Sequence, residues 1–269
     1  LENLKKLGWT YIEGNKLSPD ISEERNSFKQ VVLKKRLYEA IKRLNPWIDN
    51  ENCKKIFRKF TQIFNLDLIE ANKEVYKNLT QYISIDQDLG DGRKSYTVKV
   101  IDFENINNNE FLITNQFKVA GINQNIVPDI VLFVNGLPLV QIELKKRGCE
   151  ISEAYNQIYR YKNHSFSANA GLYQYVQLFV ISNGVNSKYF ANNRVGILDY
   201  KQTFFWSDEN NKKITNLTSF ADTFLEKSHL LRMITNYTVL AESTKSLMVL
   251  RPYQFYAVER IVNQVSSTE

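Results

Sequence analysis

Residues 127–146, VPDIVLFVNGLPLVQIELKK, hold two apolar runs joined by Asn135-Gly136, and no other stretch of the 269-residue chain restricts its fold so tightly. Runs of this length, rich in Val, Ile and Leu and broken by Asn-Gly, read as a buried β-hairpin. Asp129 nevertheless opens the first run, and Glu143 and Lys145 close the second. Charges in a protein interior cost free energy unless they are paired or bound to something.

Side chains alternate along a strand, so Gln141, Glu143 and Lys145 share one side of the second strand while Val140, Ile142 and Leu144 take the other. In the first strand Asp129, Val131 and Phe133 share a side. Each strand therefore has an apolar face and a face charged at the end far from the turn. The turn decides whether those charged faces coincide. A two-residue Asn-Gly loop pairs Val134 with Leu137 and Asp129 with Ile142, leaving Asp129 and Glu143 on opposite faces. A three-residue loop turns over Val134 and Asn135, with Gly136 in a left-handed bulge position, and pairs Asp129 with Gln141. Glu143 then becomes a same-face diagonal neighbour of Asp129, about 7–8 Å away between backbones. A shared site requires that bulge or an equivalent one-residue shift.

Two carboxylates on one face supply the hard oxygen ligands that Mg²⁺ prefers, with water and a substrate phosphate completing its shell. Such an ion acidifies a bound water and offsets charge on a phosphoryl group. Lys145, on the same face as Glu143, adds a fixed positive charge beside the reacting phosphate. The reaction that suits this set is phosphodiester hydrolysis.

Other chemistries lack their residues. Cys53 and Cys149 are far apart and sit in no C-x-x-C pair, and His164 and His229 have no metal-site spacing. Lys and Arg outnumber Asp and Glu by 35 to 29, which suits a polyanionic partner. No apolar run reaches membrane-spanning length and no leader pattern opens the chain, so a reducing cytoplasm is the expected compartment.

Apolar spacing predicts an amphipathic helix over 23–44, its other face carrying Lys29, Lys34, Lys35, Lys42 and Arg43, and a second helical region over 51–81. SYTVKVIDF (95–103) and FLITNQFKV (111–119) alternate as strands around a polar turn. After the hairpin come a helix at 152–163 and a strand at 175–182. YKQTFFWSD reads as a strand, SFADTFLEKSHLLRMITNY as one or two helices and VLAESTKS as a polar connector, and LMVLRPYQFYAVERIVNQV begins a final helix. This order predicts an α/β fold with a mixed central sheet flanked by helices.

The hairpin wording, PD followed by a strand, a short turn and ELK, resembles the PD-(D/E)xK nuclease signature. It is similar in particular to the N-terminal endonuclease domain of the motor (restriction) subunit of type I restriction-modification enzymes. RNSFKQVVLKKRLYEAIKRLNP, VKVIDFENINNNEFLITNQFKV and VISNGVNSKYF resemble the same family in the same order.

The resemblance implies a restriction-endonuclease-like core in which Asp129, Glu143 and Lys145 are catalytic and Asp129 and Glu143 hold Mg²⁺, with Mn²⁺ as a substitute. Gln157 and Tyr161 match its Gln-x-x-x-Tyr motif, and residues four apart share a helix face. An acidic residue before the sheet is also implied, for which Glu24, Glu70 and Glu74 are candidates. Residues 1–240 would form the nuclease domain. Residues 241–269 would form a linker and first helix leading into a RecA-like ATP-dependent motor, where Gln254 matches an adenine-contacting residue. No phosphate-binding loop motif occurs in these residues, so ATP is expected to serve only the full-length protein. Implied partners are duplex DNA and the modification and specificity subunits. Competing expectations are a docking module for the methyltransferase core, inactive alone, and a junction-resolving or repair nuclease on the same fold.

Overall fold

A computed structural model describes residues 1–63, 67–81, 83–164, 171–193, 199–241 and 246–267. In chain order, α1 (Glu2–Lys6) and β1 (Thr10–Glu13) precede three helices, α2 (Lys34–Leu44), α3 (Asn50–Thr61) and α4 (Leu68–Thr80). Strands β2 (Ile83–Asp88) and β3 (Arg93–Val98) follow, then β4 (Phe111–Asn115), β5 (Ile130–Val134) and β6 (Leu137–Leu144). Helix α5 (Ser152–Asn163) leads to β7 (Leu178–Ser182), β8 (Ser187–Ala191), β9 (Phe204–Ser207) and β10 (Lys213–Ile214). The chain continues through α6 (Leu217–Phe224), α7 (Lys227–Thr235), β11 (Thr238–Ala241), β12 (Ser246–Val249) and α8 (Pro252–Ser266).

Eight strands form one mixed sheet in the order β1-β4-β5-β6-β7-β8-β9-β10, flanked by helices as the α/β reading expects. The β5–β6 hairpin sits near its middle, antiparallel to β4 on one side and parallel to β7 on the other. The parallel step is made by α5, the crossover helix such a connection requires. Every residue of β5 is buried, as are all of β6 except Leu144. Covering on both faces explains why these strands read as continuous apolar runs.

Several boundaries differ from the sequence reading. The helix expected over 23–44 begins only at Lys34. Residues 23–32 instead wrap around Arg25, whose guanidinium donates to the carbonyls of Gln30 (2.7 Å), Lys118 (3.0 Å) and Phe28 (3.2 Å) and lies over the Phe117 ring. A buried cation that draws in backbone carbonyls overrides the helical spacing of Phe28, Val31 and Val32. The strand expected over 95–103 ends at Val98 and pairs with β2 in a separate two-stranded sheet, not with β4. The strand at 111–119 stops at Asn115, because Gln116 adopts a left-handed φ of 49°. The strand expected at 175–182 starts at Leu178, after a 3-10 turn over Leu172–Gln174.

Within the polar connector residues 239–241 and Ser246 are strand, as are residues 247–249, not loop and helix: β11 and β12 pair antiparallel. The last helix begins at Pro252, whose missing N–H costs nothing at a first helical position. Residues 64–66 and 242–245, which fall within two of these expectations, lie outside the described residues. Strands β1, β2 and β8 carried no clear signal in the sequence. The division at residue 240 falls within the β11–β12 hairpin. Beyond it, the Phe255 ring packs 5.3 Å from Trp206, and the Tyr189 hydroxyl donates to the Leu250 carbonyl at 2.7 Å.

Candidate active site

The hairpin turn is the two-residue form. Asn135 (φ 49°) and Gly136 (φ 81°) are both left-handed, and Val134 pairs with Leu137. That corrects the three-residue loop. The parity change comes from within β6: Phe133 pairs with Pro138, but Leu132 pairs with Val140, so Leu139 is the extra residue of a β-bulge. Proline within a sheet is confined largely to edges and bulges, and Pro138 stands directly beside this one. From the bulge onward the register runs to Ile130 opposite Ile142. Continued by one residue, it sets Asp129 directly across from Glu143, a closer arrangement than the diagonal one.

Glu143 has no solvent exposure. The Gln141 amide donates to its Oε2 at 3.2 Å, while Oε1 has no hydrogen-bond partner. Asp129 is half-buried, with Oδ1 accepting from the Gln116 amide at 3.1 Å and Oδ2 from the Leu144 N–H at 2.8 Å. Lys145 donates to the Gln157 side-chain carbonyl, the Gln157 amide donates to the Tyr161 oxygen at 2.9 Å, and the Tyr161 hydroxyl donates to the Val127 carbonyl at 3.2 Å. Tyr161 thus spans from α5 to the chain just before Asp129. The crossover helix brings Gln157 and Tyr161 to the hairpin because they lie one turn apart beside its buried stripe of Ala154, Ile158 and Lys162.

Burial, and then the neighbouring Asp129, disfavour the charged form of Glu143 and push its carboxyl from 4.5 up to about 8. Between those pH values the unfolded chain has released a proton that the folded chain retains. Without a bound cation, stability therefore falls as pH rises through this window and levels off above it. Glu143→Gln removes the titration. Its melting temperature is expected to exceed that of wild type at pH 8.5 and to differ little near pH 4.5. Parallel pH profiles for the two proteins would count against a buried, protonated Glu143.

Of the three upstream glutamates, two are paired with basic residues. Glu24 lies in a turn, and its Oε1 accepts from Arg36 at 2.6 Å, beside the Gly136 end of the hairpin. Glu70 pairs with Lys73 at 2.9 Å, and Glu74 is exposed on α4. Among the described residues no three His, Cys, Asp or Glu side chains converge as a metal-binding group. The sequence reading missed Gln116, which enters only through its left-handed backbone after β4, and Tyr173, whose fully buried hydroxyl has no partner and feels the Glu143 charge. Gln141 was legible as sharing the Glu143 face, but nothing in the sequence marked its amide as that carboxylate's donor. Gln254 stands apart in the first turn of α8, where its Oε1 accepts from the Arg251 N–H at 2.9 Å.

Residues 1–196 match the family described as the N terminus of the type I restriction enzyme R protein. The chain belongs to that family. Its relatives include the type I restriction enzyme SauCOLORF180P endonuclease subunit of Staphylococcus aureus (strain COL), 43% identical over 160 residues, which are 60% of this chain and 17% of that protein. The EcoprrI endonuclease subunit of Escherichia coli is 44% identical over 66% of this chain and 56% of its own length. The putative MjaIXP endonuclease subunit of Methanocaldococcus jannaschii is 29% identical over 98% of this chain and 27% of its own. The chain therefore spans only part of these endonuclease subunits. Among the described residues no helix is long and apolar enough to cross a membrane.

Proposed function

We propose that this chain is the DNA-cleaving part of a type I restriction enzyme R subunit, a PD-(D/E)xK centre that hydrolyses phosphodiester bonds of duplex DNA with Mg²⁺, for which Mn²⁺ substitutes. The observation that carries the reading is Glu143, a fully buried carboxylate with one unpartnered oxygen set against Asp129. An interior designed only for packing or docking would be more stable with an apolar residue there.

The donors fit a hard divalent cation, because both candidate ligands are carboxylate oxygens. When bound, the ion supplies an acidified water and polarisation of the phosphate. The chain's own residues do the rest. Asp129 and Glu143 hold the ion, with Gln116 and the Leu144 N–H orienting the first and Gln141 the second. Lys145 brings a positive charge to the reacting phosphate, and Gln157 and Tyr161 aim it.

In this reading the modification and specificity subunits select the site, and cleavage follows ATP-driven translocation away from it. An adenine contact by Gln254 belongs to the full-length motor. Nicking or linearisation of supercoiled plasmid in Mg²⁺, absent in EDTA, tests the nuclease assignment. A preference for branched over linear duplex would instead point to junction resolution.

A second test reads the ion directly. At a concentration tenfold above its Kd, Mn²⁺ or Mg²⁺ is expected to raise the melting temperature of wild type by about 3–5 °C. Asp129→Ala and Glu143→Ala should show no rise. The rise should grow from pH 6.5 to pH 8.5, because the cation competes with the proton held by Glu143. An equal rise in wild type and both variants would place the ion elsewhere.

A further inference from the structure

Residues 34–59, spanning α2 and α3, carry nine Lys and Arg against three Asp and Glu. The other residues hold 26 of each, so the chain's entire formal charge of +6 resides in this segment. The helices form one layer, joined by the edge-to-face contact of Tyr38 with Phe57 at 5.8 Å, with Lys42 lying over the Tyr38 ring.

Local acids account for part of the charge. Arg36 is half-buried between Glu24 and Glu110, and Lys55 pairs with Glu51. Lys34, Lys35, Lys54, Arg58 and Lys59 are exposed and make no ion pair among the described residues. The only acid in α2 is Glu39. None of the large exposed hydrophobic residues of the chain falls in 34–59. Protein-protein interfaces are anchored by aromatic and apolar side chains and are poor in lysine. A surface of unpaired cations without such anchors fits a phosphate backbone instead.

The position of this layer separates it from the candidate active site. The Leu33 N–H, at the start of α2, donates to the Gly136 carbonyl at 3.0 Å, and Arg43 near its end donates to the Asn135 side chain at 3.2 Å. Helix α2 therefore crosses the turn end of the β5–β6 hairpin. Asp129 and Glu143 stand at the other end, beyond the five residues of β5, roughly 17 Å along the strand.

We propose that α2 and α3 form a second, sequence-independent docking surface for the phosphate backbone of duplex DNA, separate from the cleavage centre. The proposal rests on the reading that duplex DNA is the substrate. It is tested by binding in EDTA, so that a failure to cleave and a failure to dock are read in different assays.

Affinity for a fluorescent duplex is measured against salt for wild type and for a variant carrying Lys35→Ala, Lys54→Ala, Arg58→Ala and Lys59→Ala. A control carries Lys6→Ala, Lys16→Ala, Lys94→Ala and Lys212→Ala, all exposed and outside the two helices. The helix variant is expected to bind at least about tenfold more weakly at low salt, with the slope of log K against log salt reduced by roughly 2–3.5. Its Mn²⁺-dependent melting shift should match wild type, which shows that the fold and the carboxylate site are intact. The control should lose much less affinity and slope. Equal losses in both variants would reduce the effect to net charge, and an unchanged slope in the helix variant would remove the surface from DNA binding. Either result overturns the proposal.

Discussion

Lys145→Ala is expected to nick supercoiled plasmid at least about 10²-fold more slowly than wild type at saturating Mg²⁺, and Asp129→Ala to fall to background. The magnitude follows from what removing one preorganised electrostatic group costs at a charged transition state, about 10²–10³ in rate. Lys145 is preorganised by a continuous chain of donors running through Gln157 and Tyr161 to the Val127 carbonyl. Its amine is therefore held in place before substrate arrives, and little ordering remains to be done.

The two variants should separate in a second measurement. Lys145→Ala leaves both carboxylates in place, so its Mn²⁺-dependent melting shift should persist, whereas Asp129→Ala should lose the shift together with cleavage. Gln157→Ala should give an intermediate rate, because Lys145 keeps its charge and loses its aim. Wild-type cutting rates in either Lys145→Ala or Asp129→Ala would sink the assignment of this face as the nuclease centre.

How the charges reach one face explains what the sequence could and could not disclose. The end points were legible: Pro128-Asp129, Asn135-Gly136 and Glu143-Leu144-Lys145 each sit where a strand start, a turn and a strand end are expected. The path between them was not. Asn-Gly formed its ordinary two-residue turn, and the parity was restored by a bulge at Leu139 beside Pro138, whose effect on register depends on pairing with β5. A bulge is a property of two strands together, so one strand's residues do not announce it. The local structure around Glu24 was hidden for a similar reason. Helical spacing placed Glu24 on a helix, but the tertiary contacts of Arg25 hold that segment as a wrapped loop, and Arg36 holds the carboxylate beside the turn. Local periodicity predicts a helix only where no buried group draws the backbone away from it.

Asn135 gives the largest expected effect on stability. It is fully buried in the left-handed region, and its side chain makes four hydrogen bonds. The amide donates to the Val100 carbonyl at 2.8 Å and to Asn109 Oδ1 at 2.9 Å. Its oxygen accepts from the Glu110 N–H at 2.8 Å and from Arg43 at 3.2 Å. One residue thus ties the hairpin turn to the loop before β4, to β4's first approach and to α2. Asn135→Ala strands at least two buried partners, at about 1–3 kcal/mol each, and places a Cβ without local compensation at positive φ, at roughly 1–2 kcal/mol. A loss of at least about 3 kcal/mol is expected by urea denaturation. Asn135→Gly accepts the same φ and removes the same hydrogen bonds, so it should recover only the backbone part, roughly 1 kcal/mol. If Asn135→Gly were as stable as wild type, the side-chain network would carry nothing and conformation alone would explain the asparagine. If both variants kept wild-type stability, the turn would not pin the register that sets Asp129 opposite Glu143, and the bulge would have to fix it alone.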